Sequence, residues 1–428
     1  MPAISFLNVL IFLSVSSLVG WYLYRKLLTV VDAFTPKNLP LVKKRLARTV
    51  VALMSLPAIP MLLKEIPPLR ETGVTYTLFF LGSVWGIWLF LALLVFVPAD
   101  LTILIWKQAR RVFARRRTKS LIETQTTRAN VARARDDDPP LMPEKSSVYS
   151  PSRREFLKKA APSMIGFAFP TVITGYSLVN NRMNYVVNQM TLSFPNLPSE
   201  LRGLKIAHAS DIHSGAFMSQ RQMEEITQTL NSFHPDLVAL TGDFVANDKN
   251  EIEPFVKGFR NLKSTYGTFA CAGNHDEWVG IETVEAAMKQ HAETLLRNEH
   301  RIINIDGAPL NVIGIDYTRS RTAYLDAAMK GTNPDGFNLL LCHHPDFFTY
   351  AKTANIDLML AGHTHGGQIA LDVAGVELYP IDILYKYPRG LFEEGEQGKQ
   401  KLYVNLGAGV TGAPLRTISP EIVVMTLV

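Results

Sequence analysis

Residues 358–368 read Leu358-Met359-Leu360-Ala361-Gly362-His363-Thr364-His365-Gly366-Gly367-Gln368. Four apolar residues run straight into a glycine-bounded pair of histidines. A short apolar run ended by a turn signal reads as a buried strand. A spacing of two puts His363 and His365 on the same side of an extended segment. Glycine beside each donor lets the backbone turn sharply and approach a bound anion. The same kind of junction recurs four times upstream. Residues 205–210 run into Asp211-Ile212-His213, residues 237–241 into Gly242-Asp243, residues 269–272 into Gly273-Asn274-His275-Asp276, and residues 339–342 into His343-His344-Pro345. In α/β folds ligands gather beyond the carboxyl ends of strands. Five strand ends supplying Asp, His and Asn therefore predict a metal site.

The pattern around these junctions predicts an α/β domain over residues 185–428. Strands are expected at 204–210, 236–241, 267–272, 310–315, 337–342, 357–361, 401–406 and 421–427, with a further one near 185–194. Helices are expected at 219–233, 251–263, 281–297 and 345–354. Mixed imidazole and carboxylate donors suit Mn, Fe or Zn, while thiolates would favour softer sites. A bridging carboxylate can hold two cations about 4 Å apart, a pair that clamps a phosphate and generates hydroxide for in-line attack.

The five blocks, in this order and at strand ends, resemble the calcineurin-like metallophosphoesterase superfamily over residues 200–428. The resemblance implies a four-layer αββα sandwich with two divalent metal ions at one edge. It assigns Asp211, His213, Asp243 and His365 to one metal, and Asp243, Asn274, His343 and His363 to the other, with Asp243 as the bridge. It makes His275 the histidine that stabilises or protonates the leaving oxygen, and Asp276 the residue that orients it. His344 departs from a position often acidic in relatives, which leaves His343 and His344 as rivals for one ligand; His343 directly follows the strand and is preferred. The string ending in Gln368, with Asn405-Leu406-Gly407-Ala408-Gly409, Pro414-Leu415-Arg416 and Pro420-Glu421-Ile422, resembles the membrane-anchored bacterial subgroup. Some members of that subgroup are phosphodiesterases, and some cleave the pyrophosphate of UDP-diacylglucosamine.

Other polar residues have plainer readings. His208 is expected in the core, and His234, His291 and His300 in solvent on helical or loop segments. Cys271 and Cys342 are the chain's two cysteines, which excludes a disulfide scaffold and a cysteine-based zinc cluster. They lie on strands feeding the site and are expected as buried thiols, with a disulfide as the alternative. Arg416 is a candidate for a phosphate contact or for a structural salt bridge.

Of the 428 residues, 47% are hydrophobic and 19% charged, which excludes a disordered chain. The net charge of +6 hides an asymmetry: residues 1–159 hold 24 Lys/Arg against 10 Asp/Glu, and residues 160–428 hold 20 against 28. The positive charge flanks apolar runs, as it does on the cytoplasmic side of membrane proteins. A nucleic-acid binder would carry it on the folded domain, and the acidic catalytic half would repel a polyanion. No nucleic-acid partner is expected; the expected partners are the lipid bilayer and a phosphate-ester substrate.

Apolar runs at 4–24, 46–63, 75–106 and 160–179 predict an all-α transmembrane region. Three helices fall within residues 1–106, followed by a flexible basic cytoplasmic linker at 107–159. The fourth run is a transmembrane segment or signal anchor, read as retained because no clear cleavage site follows. Residues 25–48 carry seven basic side chains and one acidic, and residues 107–159 carry fifteen and six. Both loops share the inner side only if all four runs cross, which puts the catalytic half on the extracytoplasmic face of the cell membrane. Ser152-Arg153-Arg154-Glu155-Phe156-Leu157-Lys158 resembles a twin-arginine export signal; the alternative is an ordinary basic anchor flank.

The leading function is thus a membrane-anchored, dinuclear metal-dependent phosphoesterase acting on a phosphodiester, pyrophosphate or phosphomonoester, with lipid-linked esters in view. A membrane scaffold or transport component with a regulatory metal-binding domain is the alternative. Loops 214–220, 277–282, 317–322 and 378–392 are expected to choose the substrate.

Overall fold

The structure is a computed structural model that describes residues 6–34, 40–55, 73–128, 153–180, 185–215, 217–290, 293–373, 376–411 and 416–428. The chain divides into two units, one over residues 4–172 and one over residues 173–428.

The first unit is helical: Phe6–Phe34, Pro40–Ser55, Gly73–Arg128 and the first part of Arg153–Asn180. Small residues set its close contacts. A side chain at Gly20 would strike Met54, and one at Gly166 would strike the Phe96 ring. Leu23, Val50, Met54, Ala92 and Phe96 form the buried cluster, and Trp85 stacks on Trp88 with centroids 4.9 Å apart. Leu18, Trp21, Val51, Phe90, Leu101 and Ile105 point outward and exposed. Among the described residues, one helical stretch, Val84–Arg110, is long and apolar enough to cross a membrane.

Two expectations change here. The Gly73–Arg128 helix continues unbroken through Pro98 into the arginine-rich stretch, so residues 107–128 are helix and not flexible linker. Arg, Lys, Leu, Ile and Ala favour helix, and that composition carries the element past its apolar part. The second apolar run is helical as far as Ser55, and the helix starts earlier than expected, at Pro40. Residues 129–152, with Ser152 of the export-like motif, and residues 56–63 lie outside the described residues.

The second unit holds fourteen described strands: β1 Val186–Leu192, β2 Lys205–Ala209, β3 Leu237–Thr241, β4 Thr268–Cys271, β5 Glu293–Leu295, β6 Glu299–Ile305, β7 Ala308–Gly314, β8 Phe337–Leu341, β9 Leu358–Ala361, β10 Leu371–Val373, β11 Val376–Leu378, β12 Gly390–Glu394, β13 Gln400–Val404 and β14 Glu421–Leu427. They form two six-stranded sheets, ordered β1-β14-β2-β3-β4-β5 and β12-β13-β9-β8-β7-β6, and a β10-β11 ribbon. Strands β2 to β5 run parallel, as do β7, β8, β9 and β13. Parallel strands are covered on both faces and read as unbroken apolar runs, which is why they were visible in the sequence.

Side-chain alternation shows the layering. On β3, Leu237 and Ala239 face the core between the sheets, while Val238 and Leu240 face the outer helices Gln220–Ser232, Ile252–Phe259 and Ile281–Lys289. On β9, Leu358 and Leu360 face the same inner core, while Met359 and Ala361 face the Thr322–Met329 and Phe348–Ala351 helices. The result is an αββα sandwich.

The helix expected at 281–297 stops at Lys289, and β5 takes Glu293–Leu295 beside β4. The helix expected at 345–354 is a short 3-10 turn, Pro345–Phe347, followed by Phe348–Ala351. His300 is not on a helix or loop but on β6, where its Nδ1 lies 2.7 Å from the Ala328 carbonyl oxygen. His208 is a buried core residue, its Nε2 2.8 Å from Thr241 Oγ1. His234 is exposed, and His291 lies outside the described residues. Cys271 and Cys342 are buried and unbonded to each other.

Candidate metal centre

The carboxyl ends of β2, β3 and β4 in one sheet and of β8 and β9 in the other meet at one edge of the sandwich. The chain leaves these strands through abrupt turns. Asp211, His213, Asp243, His363 and His365 all have φ between 49° and 73°. That left-handed conformation is uncommon for residues other than glycine, though Asp and His are enriched in it, and it clusters at functional sites. Gly242 permits a close approach: at φ 80° its Cα faces the Gly273 backbone, and a side chain there would meet Gly273 N at 2.5 Å.

These turns bring nitrogen and oxygen donors together. Asp211, His213 and His365 each offer an atom within 4.8 Å of the others, and so do Asp243, His343 and His363. His213, Asp243 and His275 form a third such group. His365 Nε2 lies 3.2 Å from Asp211 Oδ1 and 3.1 Å from His213 Nε2. Asp243 Oδ2 lies 3.2 Å from His343 Nε2 and 3.6 Å from His213 Nε2, so this carboxylate stands between the two groups.

Surrounding groups aim the donors. His343 Nδ1 is 2.6 Å from the Thr241 carbonyl oxygen, which turns Nε2 toward Asp243. Such an anchored second nitrogen is how proteins fix a ligand imidazole. Ser210 Oγ donates to Asp211 Oδ2 at 2.6 Å, and the His363 amide donates to the same carboxylate at 3.0 Å. His344 is engaged elsewhere, where its Nδ1 accepts the Asp346 amide and caps the 3-10 turn. That leaves His343 as the residue aimed at the centre.

Electrostatics favour ligand chemistry. Burial lowers His213 to about 3 and His363 to about 3, so both imidazoles are neutral with a free lone pair. Burial opposes ionisation of Asp211 and Asp243, but the neighbouring histidines outweigh it and hold both carboxylates below their ordinary range. For His343 burial acts downward, and the Asp243 and Asp211 charges reverse it to push the group up to about 10. Cation ligands are neutral imidazoles and ionised carboxylates, and a dication beside His343 would replace the proton that these carboxylates otherwise draw onto it. The buried Asn274 Oδ1, His213 Nδ1 and His365 Nδ1 have no hydrogen-bond partner in the protein, and His343 Nε2 has none of good geometry. An amide oxygen left bare at this spot is the donor a second cation would take. The residues present fit two divalent cations.

His275 Nδ1 is held against the Ala246 carbonyl, and its amide donates to Asp243 Oδ1 at 2.9 Å. Its ring packs on that of His213, centroids 4.6 Å apart. The role expected for Asp276 changes. Among the described residues its carboxylate makes no hydrogen bond to the His275 ring; it accepts the amides of Asp243, Phe244, Val245 and Gly273. A buried carboxylate satisfies up to four donors, and Asp276 uses that capacity to lock two strand-end loops together. Ala246, through its backbone carbonyl, orients the histidine instead. No side-chain pattern marks a carbonyl, so this partner was invisible in the sequence.

Aromatic walls were also missed. Tyr317 sits with its ring centroid 6.0 Å from His343 and 5.6 Å from His363, and burial with the nearby Tyr385 and Asp243 pushes its hydroxyl up to about 12. Tyr385 Oη is 3.2 Å from His363 Nε2. Both lie in loops expected to choose the substrate. Arg416 is fully buried and, among the described residues, makes no salt bridge. Its guanidinium donates to the carbonyls of Leu406, Gly407, Gly409 and Ile418 and ties down the segment before β14.

A family model described as calcineurin-like phosphoesterase matches residues 204–367. An uncharacterized metallophosphoesterase of Campylobacter jejuni is 32% identical over 262 residues, 59% of this chain and 66% of that one. An uncharacterized metallophosphoesterase of Helicobacter pylori is 30% identical over 286 residues, 64% of this chain and 71% of that one. A Bos taurus protein named as a transmembrane protein with metallophosphoesterase domain is 28% identical over 263 residues, 58% of this chain and 57% of that one.

Proposed function

From the premise that this chain belongs to the calcineurin-like metallophosphoesterases, metal-dependent hydrolases of phosphoric esters, we propose that it is a membrane-anchored, dinuclear enzyme acting on a phosphodiester or pyrophosphate of a membrane lipid. The observation that carries the dinuclear reading is the position of Asp243, within 3.6 Å of a histidine from each donor group. A bound cation pair there would polarise phosphoryl oxygens and supply a nucleophile at neutral pH.

The chain's own residues do the rest. His213, His343, His363 and His365 turn ring nitrogens toward the centre, neutral at His213 and His363, with Asp211, Asp243 and Asn274 supplying oxygens. His275, fixed through Nδ1 and grouped with His213 and Asp243, passes a proton to the leaving oxygen. Tyr317, kept protonated, offers a hydroxyl donor to a phosphoryl oxygen.

Two observations support the membrane part. The Val84–Arg110 stretch is long and apolar enough to span, and the bovine relative carries "transmembrane" in its name. Loop charges put the catalytic half on the extracytoplasmic side. Residues 181–185 alone separate the last helix from β1, and an extended chain covers at most about 3.6 Å per residue. If that helix is the fourth span, the tether concentrates the enzyme at membrane substrates and does nothing for soluble ones.

The test is hydrolysis by the full chain of a soluble aryl phosphodiester and of vesicle-embedded phospholipid and glycolipid pyrophosphate esters, with Mn²⁺, Zn²⁺ or Fe²⁺ supplied. Turnover of the soluble ester is expected with metal and none after chelation. Faster turnover of an embedded ester supports the lipid substrate; preference for soluble phosphates alone would contradict it.

A further inference from the structure

Strand β11 and the 3-10 turn that follows it, Pro380–Ile383, carry an exposed apolar run that the fold does not use. Val376 is 60% exposed, Leu378 50%, Ile383 88% and Leu384 70%. Single exposed apolar residues are ordinary, but four large ones in nine residues at a loop tip are not. We propose that residues 376–384 form a lip beside the metal centre that docks into the surface of a phospholipid bilayer.

The lip is fastened to the site. Ile381 packs over Gly367, two residues beyond His365. Tyr385 reaches His363, and Thr364 Oγ1 donates to the Pro388 carbonyl at 2.6 Å. The amides of Lys386 and Tyr387 donate to Asp346 Oδ1. Whatever holds the tip is therefore held beside the ligands of the centre.

The chemistry favours a bilayer over a protein partner. Behind the apolar tip Arg389 lies 3.4 Å from the Tyr379 ring centroid, and the exposed Lys386 stands nearby, over the buried Tyr387. An apolar end backed by Tyr, Lys and Arg is the arrangement found where a chain meets headgroups, the rings at the interface and the cations reaching phosphates. Asp382 is paired with Arg389 and Glu377 accepts the Tyr379 hydroxyl, so neither acid is left without a partner. Trp278, 61% exposed, rests on the His275 ring with centroids 4.5 Å apart and gives the centre a second amphipathic margin.

The inference deepens the lipid-substrate reading and rests on it, but its test does not depend on turnover. The full chain carrying Ile383→Cys is labelled with an environment-sensitive fluorophore and reconstituted in vesicles of phosphatidylcholine and phosphatidylglycerol. The two native thiols are buried, and the unsubstituted chain sets the background. Leu384→Cys repeats the measurement should the first variant fold poorly, and Arg221→Cys, on the exposed face of the Gln220–Ser232 helix, is the comparator. Quenching at 383 and 384 is expected from spin labels in the lipid acyl chains and not from iodide on both sides, the reverse of the pattern at 221. Iodide quenching at 383 without lipid quenching overturns the proposal. So does shielding from both quenchers, which would mean that protein covers the lip.

Discussion

Asp276 and His275 adjoin in sequence but serve separate ends, and their variants should differ. His275→Ala removes a proton donor and a ring that packs on His213 but keeps the backbone amide that holds Asp243, so turnover should fall by roughly 10²–10⁴-fold with both metals retained. Metal analysis beside turnover checks this; metal loss would make His275 a ligand. Asp276→Ala strands four buried amides. It should destabilise the catalytic unit by at least about 1–3 kcal/mol, the cost of leaving a buried donor unpaired. The chain's two buried thiols report this directly, as the urea concentration at which they become reactive. His208 gives a pH prediction. Burial lowers it from 6.5 to about 3, so the unfolded chain takes up a proton before the folded one does. The stability from its neutral form is complete above pH about 6.5 and is lost as pH falls toward 3. The same thiol assay at pH 7.5 and 5 should show a smaller pH effect in His208→Gln; an unchanged effect would contradict the assignment.

Elements explain why some of this was legible in the sequence. Parallel strands buried on both faces give unbroken apolar runs, and each ends abruptly in Asp, His or Asn donors, after left-handed turns at β2, β3 and β9. Strand end and donor were therefore visible together at all five junctions. Elements held by partners distant in sequence were not. β5 has three residues and pairs only with β4, so its helix-like flank masked it. β6 and β12 are the two edge strands of their sheet and are mostly exposed or half-buried, which hid them among loops. The Asp276 amide network and the Ala246 carbonyl depend on loop geometry that no spacing encodes.

At the scale of the molecule, charge divides the chain into a basic helical half and an acidic catalytic half. A reporter active only in the cytoplasm, fused after Val428, should be silent if that division sets the topology; a bright signal would place the catalytic unit inside. Everything proposed for the catalytic unit, however, depends on one carboxylate joining two cation sites. That is read most directly in the metal content of the purified full chain and of Asp243→Ala, measured by elemental analysis with turnover in parallel. A bridging Asp243 predicts two divalent ions per chain in the natural protein, loss from both sites in the variant and no activity. An Asp243→Ala chain that keeps two ions and normal turnover would contradict it.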